Sequence, residues 1–471
     1  MRKKNKLTGK TFENVEITDI GSEGKSIAKI NEQIVFIPFG APGDIVDLRI
    51  TKHRTKFLEG RITNIHKESE MRVKPFCEHF TLCGGCKWQH LEYSQQLKYK
   101  DKQVIDNLQR IGKVNYTFKH NYIYPSPKTQ FYRNKLEFSF SHKRWLADEE
   151  IKRNEQVNNP EGLGFHIPGF FDKVIDVNKC WLQPESSNQI RLSIKKFAVQ
   201  NGFSFFNIKK KEGFLRNVII RNNMAGEFMV ILVVSENKKV QINKILDFLT
   251  ESFPQIKSLY YVINPKKNDS LDDLEPILYK GDFQLSEVIE GLTFKIGPKT
   301  FFQTNSTQAA TLYNIVTEFA GLTGKEIVYD LYTGIGTIAD FLAGHAQKVI
   351  GIEYIDEAVE NARENSRVNK IENIEFLSGD MAKIFNEDLF QKHGNPDVIV
   401  SDPPRAGMHP KVIEQLKKSN AYKIIYVSCN PATQARDIEM LSDTYKLTAI
   451  NPVDMFPHTQ HVENIALLEL Q

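Results

Sequence analysis

Five cysteines and a small set of carboxylates carry the chemistry open to this chain. The cysteine count is odd, and no apolar segment that would direct export follows the basic start MRKKNKLTGK, so reactive or metal-binding thiols are expected rather than a disulfide framework. Cys77, Cys83 and Cys86 form a C-x5-C-x2-C pattern, and Cys180, within Asn178-Lys179-Cys180-Trp181, offers a further sulfur. Four thiolates suit tetrahedral zinc or a cubane iron-sulfur cluster, and spacing alone does not choose between them. The remaining thiol, Cys429, stands in Ser428-Cys429-Asn430-Pro431 directly after an apolar run. A thiol there is either a nucleophile, which then needs a base nearby, or a small buried core residue. Glu463, in His461-Val462-Glu463-Asn464, is the base candidate; partial burial would raise its pKa, and the residue type alone equally allows a surface carboxylate.

The elements that must position these groups lie mostly beyond residue 300. Apolar strands EIVYDLY, KVIGIEY, IEFLSGD, DVIVSDPP and KIIYVSC alternate there with helical stretches. That alternation predicts an α/β fold with a parallel, doubly wound, Rossmann-like sheet whose ligands sit at the carboxyl ends of its strands. The first strand ends in Asp330-Leu-Tyr-Thr-Gly-Ile-Gly-Thr, with Gly334 and Gly336 in a tight turn, and the second ends in Glu353, a carboxylate able to accept both ribose hydroxyls. Gly334, Gly336 and Ala339 also satisfy a dinucleotide fingerprint. Two later features decide against nicotinamide: Asp402-Pro403-Pro404-Arg405 at the fourth strand end and the Cys429 thiol at the fifth, neither of which hydride transfer needs. S-adenosylmethionine is therefore the expected cofactor, with Glu353 on ribose, Asp380 near adenine, and Tyr332 and Thr337 lining the pocket.

Upstream, short β-rich runs from Phe12 to about Ile65, broken by turns such as Ala41-Pro42-Gly43-Asp44, predict a small OB-like barrel. Residues 1–74 hold fifteen Lys and Arg against ten Asp and Glu, so the basic excess sits where a polyanion would be gripped. Lys52, Arg54, Lys56 and Phe57 form a candidate nucleic-acid strip, a spacer role being the alternative. A helix is expected from about Ser94 to Arg110 and another from Asn188 to Val199, within a β-rich central region. Arg133, Lys135, Phe138 and Phe140 there read either as stacking and phosphate contacts or as a plain half-buried strand. The expected domains are 1–68, 69–298 and 299–471. The longest apolar run, Phe228 to Val234, is too short to cross a bilayer, and a cytoplasmic, monomeric protein is expected.

Taken together, Phe301-Phe-Gln303-Thr-Asn305, Asp402-Pro-Pro-Arg405-Ala-Gly407, Val427-Ser-Cys429-Asn-Pro431-Ala-Thr433 and His461-Val-Glu463 resemble the RNA uracil-5-methyltransferase family. The resemblance implies Cys429 as nucleophile, Glu463 as base, and Gln303, Tyr332, Glu353 and Asp402 as contacts of the methyl donor. Thr333 departs from the cysteine that many relatives carry before the glycine pair. The segment from Cys77 to Leu91, the run Tyr132-Arg133-Asn134-Lys135 and the N-terminal barrel are similar to the iron-sulfur, TRAM-containing branch that modifies 23S ribosomal RNA. That likeness implies a [4Fe-4S] cluster on Cys77, Cys83, Cys86 and Cys180 in preference to zinc, and RNA as partner. Three alternatives stand beside this reading: a transfer-RNA uracil-5 enzyme, an RNA cytosine-5 methyltransferase, and a non-catalytic RNA-binding or assembly protein. The cytosine enzymes generally carry a second cysteine where Arg405 follows the two prolines, and an inactive domain has no reason to keep Cys429, Glu463, Asp402 and Glu353 together.

Overall fold

A computed structural model describes residues 7–146, 150 and 160–471. Strands β1 (Thr11–Ile20), β2 (Ser26–Ile30), β3 (Gln33–Ile37), β4 (Ile45–His53) and β5 (Phe57–Lys67) close into a barrel in the order β1-β2-β3-β5-β4. Period-two alternation turns Ile17, Ala28, Val35, Val46, Leu48 and Leu58 into its interior. Asp44, the acid of the Pro42-Gly43-Asp44 turn, clamps the barrel to the following segment. Arg72 grips its two carboxylate oxygens through Nε and Nη2, both at 2.7 Å, while Ala41 and Ser69 donate backbone N–H groups at 2.6 and 3.0 Å. Lys52, Arg54 and Lys56 are exposed, whereas Phe57 is half-buried edge-on to Phe36, with ring centroids 5.4 Å apart.

The cysteine loop leads into helix α1 (Tyr93–Arg110) and a two-residue strand, β6 (Lys119–His120). The apolar side of α1, Leu97, Val104 and Leu108, packs into the same core as the C-terminal sheet, not into the central one. The central sheet takes β7 (Lys135–Ser141), β8 (Gly162–His166), β9 (Val174–Asp176), β10 (Leu215–Asn222), β11 (Phe228–Val234), β12 (Ile256–Ile263) and β13 (Ile277–Gly281) in the order β13-β12-β11-β10-β7-β8-β9. Helices α2 (Glu185–Gln200) and α3 (Lys239–Ser252) cover one face. The apolar run at 228–234 is an interior strand whose alternate residues feed two different cores, which is why its sequence does not alternate. Phe138 and Phe140 are core residues, 1% and 3% exposed, each 4.9 Å from another phenylalanine ring. The expectation that they stack on bases is thus corrected in favour of the half-buried strand.

After the hairpin β14 (Leu285–Ile289) and β15 (Leu292–Ile296) comes helix α4 (Ser306–Ala320), then the regular alternation: β16 (Ile327–Leu331), α5 (Thr337–Ala343), β17 (Lys348–Glu353), α6 (Asp356–Val368), β18 (Ile374–Ser378), α7 (Met381–Ile384), α8 (Glu387–His393), β19 (Val398–Ser401), α9 (Pro410–Ser419), β20 (Lys423–Ser428) and α10 (Pro431–Leu441). The antiparallel pair β21 (Tyr445–Val453) and β22 (Glu463–Leu470) completes a sheet ordered β18-β17-β16-β19-β20-β22-β21-β6. The strand order reverses between β16 and β19, which opens the crevice where such sheets bind ligands. Among the described residues no helix is long and apolar enough to cross a membrane.

Candidate active site

The chain leaves β16 through Tyr332, a non-glycine residue at φ 63, and turns at Gly334 (φ 57) and Gly336 (φ 82) into α5. A Cβ on Gly336 would lie 2.8 Å from the Phe376 ring, so the turn is fixed by packing as well as by φ. Thr333 occupies the place of the absent cysteine and donates its hydroxyl to Asp330. Glu353, at the end of β17, gathers the surrounding amides: Gly334 donates at 3.1 Å to one oxygen, Tyr354 and Ile355 at 2.8 and 3.1 Å to the other. The pairing of Leu331 with Ser401 sets Tyr332 beside Asp402. Asp380 caps α7 by accepting from Ala382 at 3.0 Å and pairs with Lys383 at 3.3 Å. Thr337 opens α5, and Gln303 lies on a separate element, the loop before α4, where its carbonyl accepts from Asn134 of the central region at 2.9 Å.

The loops after β19 and β20 are tied together. Asn430 caps α10 by accepting from Ala432 at 3.2 Å, and its amide donates to the Arg405 carbonyl at 2.9 Å, as the Thr433 hydroxyl does at 3.2 Å. Gly407, at φ 80, brings its backbone so close to Asp437 that a Cβ would meet the carboxylate at 2.6 Å. Strands β20 and β22 run antiparallel with Ser428 opposite Asn464, so continuing the register by one places Cys429 opposite Glu463. Glu463 in turn pairs with Val453 on its other side.

These groups share one electrostatic environment. Burial pushes the Cys429 thiol up to about 11, with the charges of Glu463 and Asp402 adding to the rise and Arg405 opposing it. Burial holds Glu463 well above the carboxylate range, Asp402 adding, and raises Asp402 itself to about 7. Sequence reasoning gave no role to Asp330, yet burial lifts it to about 7 against the Thr333 hydroxyl bond, and its second carboxylate oxygen has no hydrogen-bond partner among the described residues. The signal was present as the one acid inside the strand IVYDL, Ile327–Leu331. A crevice holding several carboxylates above their ordinary pKa is short of positive charge, and a cationic ligand would relieve it.

The other four cysteines are free thiols, and Cys180 is buried. Asn178 donates its backbone N–H to the His79 ring at 2.9 Å, and Asn188 brackets Cys180 by accepting from its N–H at 2.9 Å and donating to its carbonyl at 3.0 Å. Burial pushes Cys83 and Cys86 up to about 12; the charges of Cys180 and Cys77 add to the rise at Cys83, and those of Cys83, Cys180 and Cys77 to the rise at Cys86. The four sulfurs thus share a neighbourhood, although among the described residues no group of three or more His, Cys, Asp or Glu side chains is gathered tightly enough to hold a metal ion.

Residues 6–63 match the TRAM domain model and residues 284–471 match the tRNA (Uracil-5-)-methyltransferase model. An uncharacterized RNA methyltransferase of Bacteroides thetaiotaomicron is 50% identical, the alignment covering 96% of this chain and 100% of that protein. A counterpart in Porphyromonas gingivalis is also 50% identical, with 96% and 99% covered. The crystal structure of Pyrococcus abyssi tRNA (uracil-54, C5)-methyltransferase with S-adenosyl-L-homocysteine aligns at a TM-score of 0.75 and 30% identity, over 97% of this chain and 100% of that one. With relatives this similar over nearly its whole length, the chain belongs to the S-adenosylmethionine-dependent RNA uracil-5-methyltransferase family and carries a TRAM barrel at its N-terminal end.

Proposed function

We propose that the crevice methylates carbon 5 of a uracil in RNA through a covalent adduct on Cys429, with Glu463 as the base. One observation carries the reading: a thiol and a carboxylate on opposed positions of neighbouring strands, in a pocket short of positive charge. The thiolate of Cys429 adds to carbon 6, and the ring electrons move to the carbonyl oxygen at carbon 4, which makes carbon 5 nucleophilic. When bound, S-adenosylmethionine would supply the methyl group to which carbon 5 bonds, its sulfur leaving as a neutral thioether; Glu353 would hold its ribose and Asp380 its adenine, with Gln303, Tyr332, Thr337 and Asp402 around the remainder. The sulfonium suits Asp330 and Asp402, carboxylates that burial leaves under-compensated. Glu463 then takes the carbon 5 proton; that electron pair restores the ring double bond and expels the Cys429 sulfur. A base stacked in a helix cannot reach a half-buried thiol, so the uracil is turned out, with Arg133 and Lys135 on its flanking phosphates.

Large-subunit ribosomal RNA is the substrate we infer, from the four-cysteine segment and its likeness to that branch. Transfer RNA is the second reading, favoured by the Pyrococcus abyssi enzyme, which aligns over nearly all of both chains. Mass-spectrometric mapping of 5-methyluridine in cells with and without the gene separates them: a site is lost from 23S ribosomal RNA or from transfer RNA. If every site persists, or if RNA containing 5-fluorouridine fails to trap the protein, the reading is wrong. For the cysteines we propose a [4Fe-4S] cluster held by Cys77, Cys83, Cys86 and Cys180, because a metal would replace the protons that burial keeps on these sulfurs. The cluster would staple the loop at 77–86 to the segment before α2. Iron and acid-labile sulfide in protein purified without oxygen support it; stoichiometric zinc would replace it.

A further inference from the structure

The connection between β21 and β22, residues 454–462, ends on Glu463 and is closed at its neck by the pairing of Val453 with Glu463. Its first five residues are all bonded to elements outside the hairpin. Asp454 and Lys100 form an ion pair at 2.5 Å in which both side chains are fully buried, and Tyr93 donates its hydroxyl to the other Asp454 oxygen at 2.7 Å. Asn305 donates to the Met455 carbonyl at 3.0 Å, Lys100 to that of Phe456 at 2.9 Å, and the Tyr132 hydroxyl to that of Pro457 at 3.0 Å. His458, in the left-handed region at φ 64, is held at both ends of its peptide unit. Its N–H donates to the Gln96 side-chain Oε1 at 2.8 Å, and its carbonyl accepts from the backbone N–H groups of Lys87 and Trp88 at 2.8 and 3.0 Å, directly after Cys86.

Three of these anchors, Tyr93, Gln96 and Lys100, are spaced by three and four residues and therefore form one stripe on α1. Gln96 and Lys100 are fully buried and Tyr93 half-buried, the reverse of what a helix face normally offers a core. Leu97, Val104 and Leu108 dock the helix, and the Gln96 amide also donates to the Trp88 and Leu91 carbonyls at 3.0 and 2.9 Å, so the stripe ties the turn before α1 to the 454–458 loop. What the stripe holds is the strand entry on which the base stands.

We propose that Tyr93, Gln96 and Lys100 are positioning residues for the proton-abstraction step, setting Glu463 against carbon 5 through the 454–458 loop. This rests on the reading of Glu463 as the base. Fixing the loop at five consecutive residues leaves Glu463 little freedom to withdraw, and loosening it leaves the Cys429 side, on β20, undisturbed. The two halves of the reaction are therefore separable: bond formation at Cys429 and methylation at carbon 5 do not depend on the stripe, whereas loss of the carbon 5 proton does.

The experiment compares Gln96→Ala and Tyr93→Phe, which strand no buried charge, with wild type, Glu463→Gln and Cys429→Ala on unsubstituted RNA carrying tritium at carbon 5 of uridine. Methyl incorporation, tritium release and the protein–RNA adduct on denaturing gels are followed together, with thermal melting of each variant. The stripe variants are expected to melt as folded proteins, to form the methylated adduct at near wild-type rate, and to release tritium about tenfold more slowly or worse, so that the adduct accumulates as in Glu463→Gln. Wild-type release, or equal slowing of adduct formation and release, overturns the proposal. If Glu463→Gln itself accumulates no adduct while Cys429→Ala is inactive, the base assignment falls and this inference with it, a pattern distinct from failure of the stripe alone.

Discussion

At Cys429 the protein faces a conflict between accessibility and ionisation. The nucleophile is the thiolate, and with its pKa near 11 the reactive fraction at neutral pH is small. Below that value the thiolate fraction rises about tenfold per pH unit, so alkylation of Cys429 in the protein without cofactor, followed by peptide mass spectrometry, should climb steadily from pH 7 to pH 9. Asp402, raised to about 7, carries its charge above that pH and holds the thiol protonated. Asp402→Asn should consequently speed alkylation several-fold at pH 9 while weakening S-adenosylmethionine binding, two effects of opposite sign from one residue. Unchanged alkylation would mean that burial and Glu463 set the thiol without Asp402. The proposed nucleophile, the acid before Pro403 and the strand-end Glu353 stood out in the sequence because each sits where a short apolar run stops. Asp330 was not singled out, since a buried acid inside a strand cannot be told from a tolerated one without its neighbours.

At the level of elements, the parallel strands were readable from their apolar runs, and helices α1 and α2 from their periodicity. The antiparallel partner of β20 was a different matter. Only the register of β22 against β20 brings Glu463 opposite Cys429, and register between strands joined through another strand is a tertiary property. The stripe on α1 was hidden for a similar reason: Lys100 and Asp454 are 354 positions apart. Gly407 shows how tightly the β19 and β20 loops are joined. Gly407→Ala would force a left-handed residue into Asp437 and the Arg436 guanidinium, and should destabilise the protein by about 1–3 kcal/mol in denaturant unfolding. Activity should fall further than stability, because the displaced loop carries Arg405.

For the molecule as a whole, the barrel is both a candidate grip on RNA and a body clamped to the rest. Burial would raise Asp44, but the Arg72 guanidinium and the amides of Ala41 and Ser69 outweigh it and hold the carboxyl below 3.8. A group depressed in the folded state stabilises above its unfolded pKa and loses that contribution as pH falls through the folded value. Barrel attachment should thus weaken below about pH 4, and Asp44→Ala should cost about 2–3 kcal/mol at neutral pH while removing this acid dependence. If Lys52 and Arg54 meet phosphates, the double alanine variant should reduce the slope of log affinity against log salt by up to about 2, and an identical slope would assign the barrel a spacer role. The composition of the barrel announced its basic face, but Ser69 and Arg72, the distant partners of Asp44, lay outside any local pattern.

The ion pair beneath the β21–β22 connection has a consequence for how the protein is made. Lys100 and Asp454 are 354 positions apart, so during synthesis the ammonium of α1 stays in water, and the sheet edge that β6 completes is missing, until β21 and Asp454 have left the ribosome. Closure waits for the β21–β22 connection. A polypeptide cut short before Asp454 lacks the partner of the buried Lys100 ammonium and should be cleaved by added protease faster than the 471-residue chain, equal rates showing that the pair does not seal α1.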